Sequence, residues 1–169
     1  MTEITHVLAG VELSHASSDA MVRAAQVARE SRARLTVLHA LGWEAPSVVQ
    51  ALLGLDTDHL TRDSTVKATA QLARRLAELD IVGTDVEQAI ETGVPGPTIA
   101  SSCRERAADL VVIGDRVSSR VHRALFGSTS SYLLRTSSVP VLVVKSPADR
   151  HYRDVLIAVD FSPASVRSV

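Results

Sequence analysis

Short apolar runs alternate along the chain with longer segments in which apolar residues recur every three or four positions. Four apolar runs and one alternating segment predict strands, at residues 6–11, 35–40, 84–91, 109–113 and 139–144. The longer segments predict helices that begin near Ser17 and cover residues 64–79, 97–107 and 128–135. Strands that alternate with helices form parallel sheets through right-handed crossovers. The pattern therefore predicts an α/β fold whose sheet is covered by helices on both faces.

The first helix has a two-sided pattern. Ser14 and Ser17 are candidate N-caps. The apolar stripe that should face the sheet contains Met21, Ala24, Ala25 and Ala28. The opposite face, expected in solvent, carries Arg23, Gln26 and Arg29. We therefore expect an amphipathic helix directly after the first strand.

The pattern is weaker between the second strand and the next helix. Residues 43–63 contain Pro46 and Gly54 and predict a loop with a short helix. The helix at residues 64–79 has one apolar stripe, formed by Leu72, Leu76 and Leu79.

The end of the chain repeats its beginning. Residues 154–164 (DVLIAVDFSPA) match residues 6–16 (HVLAGVELSHA), and the match extends past the strand into the turn. This extension favours duplication over a chance similarity of two apolar strands. We expect one domain at residues 1–147 and the start of a second copy at residues 148–169. Because an unpaired apolar strand promotes association, residues 155–159 should pair with a sheet edge or belong to that second domain.

Composition narrows the classes of function. Hydrophobic residues make up 46% of the chain and aromatic residues 3%, so Ala, Val and Leu must build the core. The net charge of −1 argues against DNA or RNA as a bulk electrostatic partner. A single cysteine, Cys103, cannot form an internal disulfide, and no apolar run approaches membrane-spanning length. We expect a cytoplasmic protein with no membrane partner.

Residues 109–145 contain the strongest candidate site. A buried strand leads into a loop that ends at Gly127, and the helix after it opens with Ser128 and Thr129. Ligands of α/β proteins bind beyond the carboxyl ends of the strands, and helix N-termini attract phosphates. The loop adds three arginines that could pair with a polyphosphate, Arg116, Arg120 and Arg123. Each feature alone is common as a turn, a cap or solvated surface, but together they favour an anion site.

Other chemistry has little support in the sequence. The P-loop, G-x-G-x-x-G, G-x-S-x-G and H-E-x-x-H patterns are missing, so we expect no catalytic residues and no metal ligands. His39 ends an apolar strand and is expected in the core or in a crevice wall. Cys103 falls in helical register with Ile99 and Ala107 and is expected in the core.

The chain resembles the universal stress protein family over most of its length. The segments that carry the resemblance are HVLAGVELS, LTVLHA, ETGVPGPTIASSCRERAADLVVIG and GSTSSYLLRTSSVPVLVVK. ATP-binding members carry G-x2-G-x9-G-(S/T) after the fourth strand. Gly114 matches the first glycine, Val117 stands in place of the second, and Gly127 with Ser128 matches the end. The resemblance implies a Rossmann-like sheet of five parallel strands in the order 3-2-1-4-5. It also implies a homodimer, or a tandem pseudo-dimer, through residues 139–144.

The resemblance further implies a ligand crevice between the first and fourth strands, with ATP and Mg²⁺ as the candidate cofactor. The residues it places there are Val11, Glu12, Ser14, Gly114, Arg116, Val117, Gly127, Ser128 and Thr129. Two of them depart from the ATP-binding pattern. Val117 is β-branched where a glycine would let the backbone approach the phosphates. Glu12 replaces the Asp that ends the first strand.

Three functions stay open at this point. The first is a regulatory stress-response module that binds an adenine nucleotide. The second is a module that has lost the nucleotide and acts through dimer or partner contacts, which Val117 and Glu12 favour. The third is a slow ATP hydrolase, which ranks last because no general base is placed near the site. We therefore expect a protein that is not an enzyme.

Overall fold

A computed structural model describes residues 3–13, 17–42, 57–79, 81, 84–114, 127–145, 148, 151–158, 160 and 162. Ser14, Arg116 and Val117 lie outside these residues, as do Arg120 and Arg123. The elements in chain order are β1 (His6–Val11), α1 (Ser18–Ser31), β2 (Arg34–Leu41), α2 (Thr57–Glu78), β3 (Val86–Thr92), α3 (Pro95–Glu105), β4 (Leu110–Gly114), α4 (Ser128–Thr136) and β5 (Val141–Val144).

The five strands form one parallel sheet in the order β3-β2-β1-β4-β5. β1 lies at the centre between β2 and β4, and all six of its residues are buried. Helices α1 and α2 pack on one face, where Met21 and Leu72 join the core. Helices α3 and α4 pack on the other face through Ile99 and Leu133. The predicted fold and strand order are therefore confirmed.

The observed helices differ from the prediction mainly at their beginnings. Helix α2 starts at Thr57, seven residues before the predicted Ser64. Residues 57–63 contain no Pro or Gly to interrupt a helix, although they are too polar to show an apolar stripe. Helix α3 starts at Pro95, because proline is favoured in the first turn, where its missing N–H costs no hydrogen bond.

One side chain of α1 departs from the predicted two-sided pattern. Arg23 was expected in solvent but is only 5% exposed. The Tyr152 ring lies over its guanidinium, 4.1 Å from the carbon to the ring centroid. Helical periodicity cannot predict this burial, because the covering residue comes from a distant part of the chain.

The segment after β5 does not extend the sheet. Residues 151–158 form no strand, and the exposed fractions of Val155, Leu156 and Ile157 are 80%, 95% and 51%. Pairing with an edge of this sheet, one of the two expected outcomes, is therefore not observed. Within the part of the chain that the structure describes, no helix has the length and apolar character needed to cross a membrane.

A polar network fastens the amino-terminal edge of the sheet. Asp109, just before β4, accepts hydrogen bonds from the backbone N–H groups of Thr5 and His6, at 2.8 and 2.9 Å. The buried hydroxyl of Thr36 lies between two partners, 2.8 Å from His6 Nε2 and 3.2 Å from Glu87 Oε2. Strands β1 to β4 are thus tied together at this edge.

Candidate functional site

A crevice opens at the carboxyl ends of β1 and β4, where the winding of the sheet reverses. This is the usual ligand position in open α/β sheets. Its walls come from the ends of three strands and the starts of three helices, with Gly10, Val11, Glu12, Ser17, His39, Ala40, Ile113, Gly114, Pro95 and Thr129 among the lining residues. Glu12 and Gly114, which end or follow neighbouring strands, both line this crevice.

The floor of the crevice is apolar and tightly packed. A Cβ atom built on Gly10 would lie 2.6 Å from Ile99 Cδ1 and 3.2 Å from Ile113 Cγ2. Glycine at this position therefore allows α3 to pack closely against β1. The enclosed part of the crevice measures about 60 Å³. This is room for about two water molecules, so a nucleobase would have to lie in the open mouth or displace side chains.

Two hydrogen bonds hold the end of β1 in place. His39 donates from Nδ1 to the Val11 carbonyl at 2.9 Å, since a carbonyl can only accept. The backbone N–H of Glu12 donates to Ser17 Oγ at 3.0 Å. Ser17 stands at the N-cap position of α1, but its side chain caps no helical N–H. Ser17 therefore occupies the predicted N-cap position without the capping hydrogen bond, because its hydroxyl instead fixes the turn that presents Glu12.

Besides α1, two helices begin at the crevice without a side-chain cap. Pro95 lies in the first turn of α3, and α4 begins after Gly127. The first intrahelical bond of α4 runs from Ser131 N–H to the Gly127 carbonyl at 2.8 Å. The N–H groups of Ser128 and Thr129 precede this bond and have no acceptor within the helix. Both helix ends direct partial positive charge towards the crevice.

The structure brings together part of the predicted site. Val11, Glu12, Gly114 and Thr129 line the crevice. Gly127 is the N-cap of α4 and Ser128 its first residue, and neither is among the lining residues. No side chain caps the start of this helix. Ser14, Arg116 and Val117 lie outside the described residues.

Sequence reasoning missed several lining residues, namely Gly10, Ser17, Ala40, Pro95, Ile99 and Ile113. Strand register carries the signal that could have found some of them. Val11 lies beside His39 in the ladder, and Gly10 lies beside Ile113. Residues that end neighbouring parallel strands share one edge of the sheet, so aligning the strand ends would have included them.

A second cleft lies at the opposite edge of the sheet. It measures about 410 Å³, and its lining includes Arg29, Arg32, Arg34 and Asp85. Arg29 and Arg32 stand at the carboxyl end of α1, where cations stabilise the helix dipole. This role explains their positions, so the crevice at the carboxyl edge is the better candidate site. No group of three or more His, Cys, Asp or Glu side chains in the described ranges is placed to hold a metal ion.

Comparison with known proteins identifies one family from the sequence, and solved structures of that family share the fold. Residues 3–145 match the sequence model of the universal stress protein family. A universal stress protein of Mycolicibacterium smegmatis is 32% identical over 168 residues, which are 94% of this chain and 55% of that protein. The chain therefore spans about half the length of this relative.

Two solved structures share the architecture. Universal stress protein UspA from Lactobacillus plantarum superposes with a TM-score of 0.69 at 24% identity, covering 86% of this chain and 100% of that one. A universal stress protein solved in complex with cAMP is 28% identical, with a TM-score of 0.58 over 85% of this chain and 98% of its own. The family match over residues 3–145, the strand order and the crevice lead to one conclusion: the chain belongs to the universal stress protein family.

Proposed function

We propose that this domain is a regulatory module of the stress response that binds an adenine nucleotide in the crevice between β1 and β4. The phosphates would lie at the start of α4, and the base would lie at the mouth near Glu12. Mg²⁺ would accompany a triphosphate. The observation that carries the proposal is the meeting of two uncapped helix N-termini with the ends of β1 and β4.

The comparison with the cAMP complex supports the ligand class. That protein is 28% identical to this chain and covers most of it. That protein was solved with cAMP, which is an adenine nucleotide. The crevice of this chain has an apolar floor that suits a base and N–H groups at one end that suit a phosphate. The proposal does not include hydrolysis of the nucleotide, because a regulatory role requires only that nucleotide binding change a surface of the protein.

A thermal melt of nucleotide-stripped protein tests the proposal. ATP, AMP and cAMP are compared, with GTP as the control, each with and without Mg²⁺. A ligand about 100-fold above its Kd stabilises by about 2.7 kcal/mol, which raises the Tm of a domain this size by about 5–10 °C. A rise of this size with adenine nucleotides and not with GTP is the expected result. The absence of any rise at millimolar nucleotide would refute nucleotide binding.

A second candidate is a partner-binding module that has no nucleotide ligand. The small enclosed volume of the crevice, about 60 Å³, favours it, because ligand pockets commonly exceed about 300 Å³. In that case every nucleotide would leave the Tm unchanged, and association through the sheet edge would remain. The melt therefore separates the two candidates.

We also propose a homodimer or pseudo-dimer through β5. This strand lies at the edge of the sheet and pairs with β4 on one side. Its residues Val141, Leu142 and Val143 are only partly buried. A short apolar edge strand of this kind is suited to pairing with another sheet edge.

The domain organisation is a further proposal. Val155 and Leu156 correspond in the sequence repeat to Val7 and Leu8, which are fully buried in the centre of the sheet. Their own exposed fractions are 80% and 95%. We infer that residues 148–169 connect to a second copy of the domain, in which these side chains occupy the equivalent of β1. The greater length of the Mycolicibacterium smegmatis relative supports this organisation.

A further inference from the structure

Helix α1 carries a polar stripe along its outer face. The stripe consists of Asp19, Arg23, Gln26 and Glu30, spaced by four, three and four residues. This spacing places all four side chains on one side of the helix. Each of them contacts the segment that follows β5, which we call the connector and define by its described residues Ala148, His151 and Tyr152.

Both backbone polar groups of Ala148 are held by the stripe. The N–H of Ala148 donates to Asp19 Oδ1 at 3.1 Å, and its carbonyl accepts from Gln26 Nε2 at 2.9 Å. Ala148 is only 3% exposed. If the connector only passed over the helix, water would form the hydrogen bonds of these two groups. The pair of bonds to α1 therefore indicates a specific binding position for Ala148.

The other two contacts are made by side chains of the connector, Tyr152 and His151. The Arg23 guanidinium lies 4.1 Å from the centroid of the Tyr152 ring and donates to Gln26 Oε1 at 2.8 Å. His151 Nδ1 lies 2.9 Å from Glu30 Oε1. A cation stacked on an aromatic face is attracted by the ring quadrupole. Together the contacts of the connector span α1 from Asp19 in its first turn to Glu30 near its end.

We propose that the polar stripe of α1 is a docking surface for the connector, and that docking fixes the position from which the following aliphatic residues leave this domain. A second domain attached there would start from a defined place, and the two domains would form a defined pair instead of moving freely on a linker. The proposal rests on the four α1 contacts and is independent of nucleotide binding.

Hydrogen exchange on the full chain, followed by mass spectrometry, tests the docking. The amide of Ala148 should exchange at least about tenfold more slowly than an unstructured amide, because it donates to Asp19. The double variant His151→Ala with Tyr152→Ala should remove this protection. Both side chains are exposed in part and lie outside the core, so the fold should persist. Asp154→Ala, in the same segment and without a contact to α1, is the matched control.

A distance measurement tests whether docking fixes the position of the segment. Spin labels are placed at Lys67→Cys on α2 and Asp154→Cys after the connector. The native Cys103 should stay unlabelled, because burial raises its pKa to about 11. A narrow distance distribution that broadens in the double variant is the expected result.

Two results would overturn the proposal. One is an Ala148 amide that exchanges equally fast in the parent protein and in the double variant. The other is a broad distance distribution in the parent protein. Asp19→Ala tests the same contact from the helix, because it removes the acceptor of the Ala148 N–H, and it should also speed exchange of the Ala148 amide. Arg29→Ala changes a residue of α1 outside the polar stripe and should leave this exchange rate unchanged.

Discussion

His6 is a buried titratable group at the amino-terminal edge of the sheet, with an exposed fraction of 1%. Burial lowers the pKa of His6, although its hydrogen bond with the Arg106 carbonyl at 3.0 Å opposes the shift. The charged groups around it are Arg34, Arg106, Glu87 and Asp109. The folded protein therefore holds this ring neutral at a pH where the unfolded chain would protonate it.

The stability of the protein should therefore decrease on mild acidification. Between the lowered folded pKa of His6 and the unfolded value near 6.5, the unfolded chain binds more protons, so the free energy of unfolding rises with pH. The stability is fully present above about pH 6.5 and is lost as the pH falls through the folded pKa. Urea unfolding at several pH values between 5 and 7.5, with an NMR titration of the His6 ring, measures this.

The variant His6→Asn isolates the contribution of this ring. It should be less stable at pH 7.5, but its stability should change less between pH 7 and pH 5.5. Hydrogen bonds from Arg106 and from Thr5 hold the pKa values of Glu87 and Asp109 below their ordinary ranges, so these carboxylates stay charged in this window. An equal pH dependence in the variant would show that another group is responsible.

Gly10→Ala should destabilise the fold. The new methyl group would lie 2.6 Å from Ile99 Cδ1, so α3 or the isoleucine side chain must move. Overpacking of this kind costs about 1–3 kcal/mol. Chemical denaturation measures the loss, and Gly42→Ala is the control, because its Cβ would meet nothing within 4 Å. A Gly10→Ala protein as stable as the parent would mean that the crevice floor adapts easily.

Helix α4 allows stability and ligand affinity to be changed in opposite directions. Thr129 stands in its first turn and lines the crevice. In Thr129→Glu the carboxylate should stabilise the helix by about 0.3–1 kcal/mol through its dipole. The same charge should repel the phosphates and weaken nucleotide binding by about tenfold, or ~1.4 kcal/mol. Calorimetric titration and thermal melting measure the two effects.

Thr136→Glu supplies the control at the other end of α4. It adds the same charge about 10 Å away along the helix, at an exposed position. Its nucleotide affinity should equal that of the parent protein. If both variants bind equally well, the phosphates do not lie at the start of α4.

The elements that the sequence predicted correctly are those whose pattern is set by their own residues. β1, β2 and β4 are apolar over most of their length because helices cover both faces of the sheet, and the stripe of Leu72, Leu76 and Leu79 marks the packed side of α2. The misses depend on contacts outside the element itself. Arg23 is buried by Tyr152, and the Ser17 hydroxyl accepts from the Glu12 N–H instead of from a helical N–H of α1. The spacing of apolar residues within one element carries no information about such contacts.

At the scale of the whole molecule, β5 offers the test of association. Val141→Lys should convert the proposed dimer to a monomer, because a lysine on an edge strand opposes pairing with another sheet. Val66→Lys, at a residue of α2 that is 69% exposed, is the matched control and should leave the mass unchanged. Light scattering after size exclusion gives the mass. A Val141→Lys dimer as stable as the parent would place the interface elsewhere.

The two ends of the sheet carry different kinds of contact. The amino-terminal edge is fastened by the network of His6, Thr36, Glu87 and Asp109, whereas the carboxyl-terminal edge forms the mouth of the crevice, where Glu12 is exposed. Mutations at the mouth can therefore accumulate over evolution at little cost to folding. A lineage that replaces aspartate by Glu12 can exchange one ligand for another, or abandon ligands altogether, and still inherit a well-folded domain.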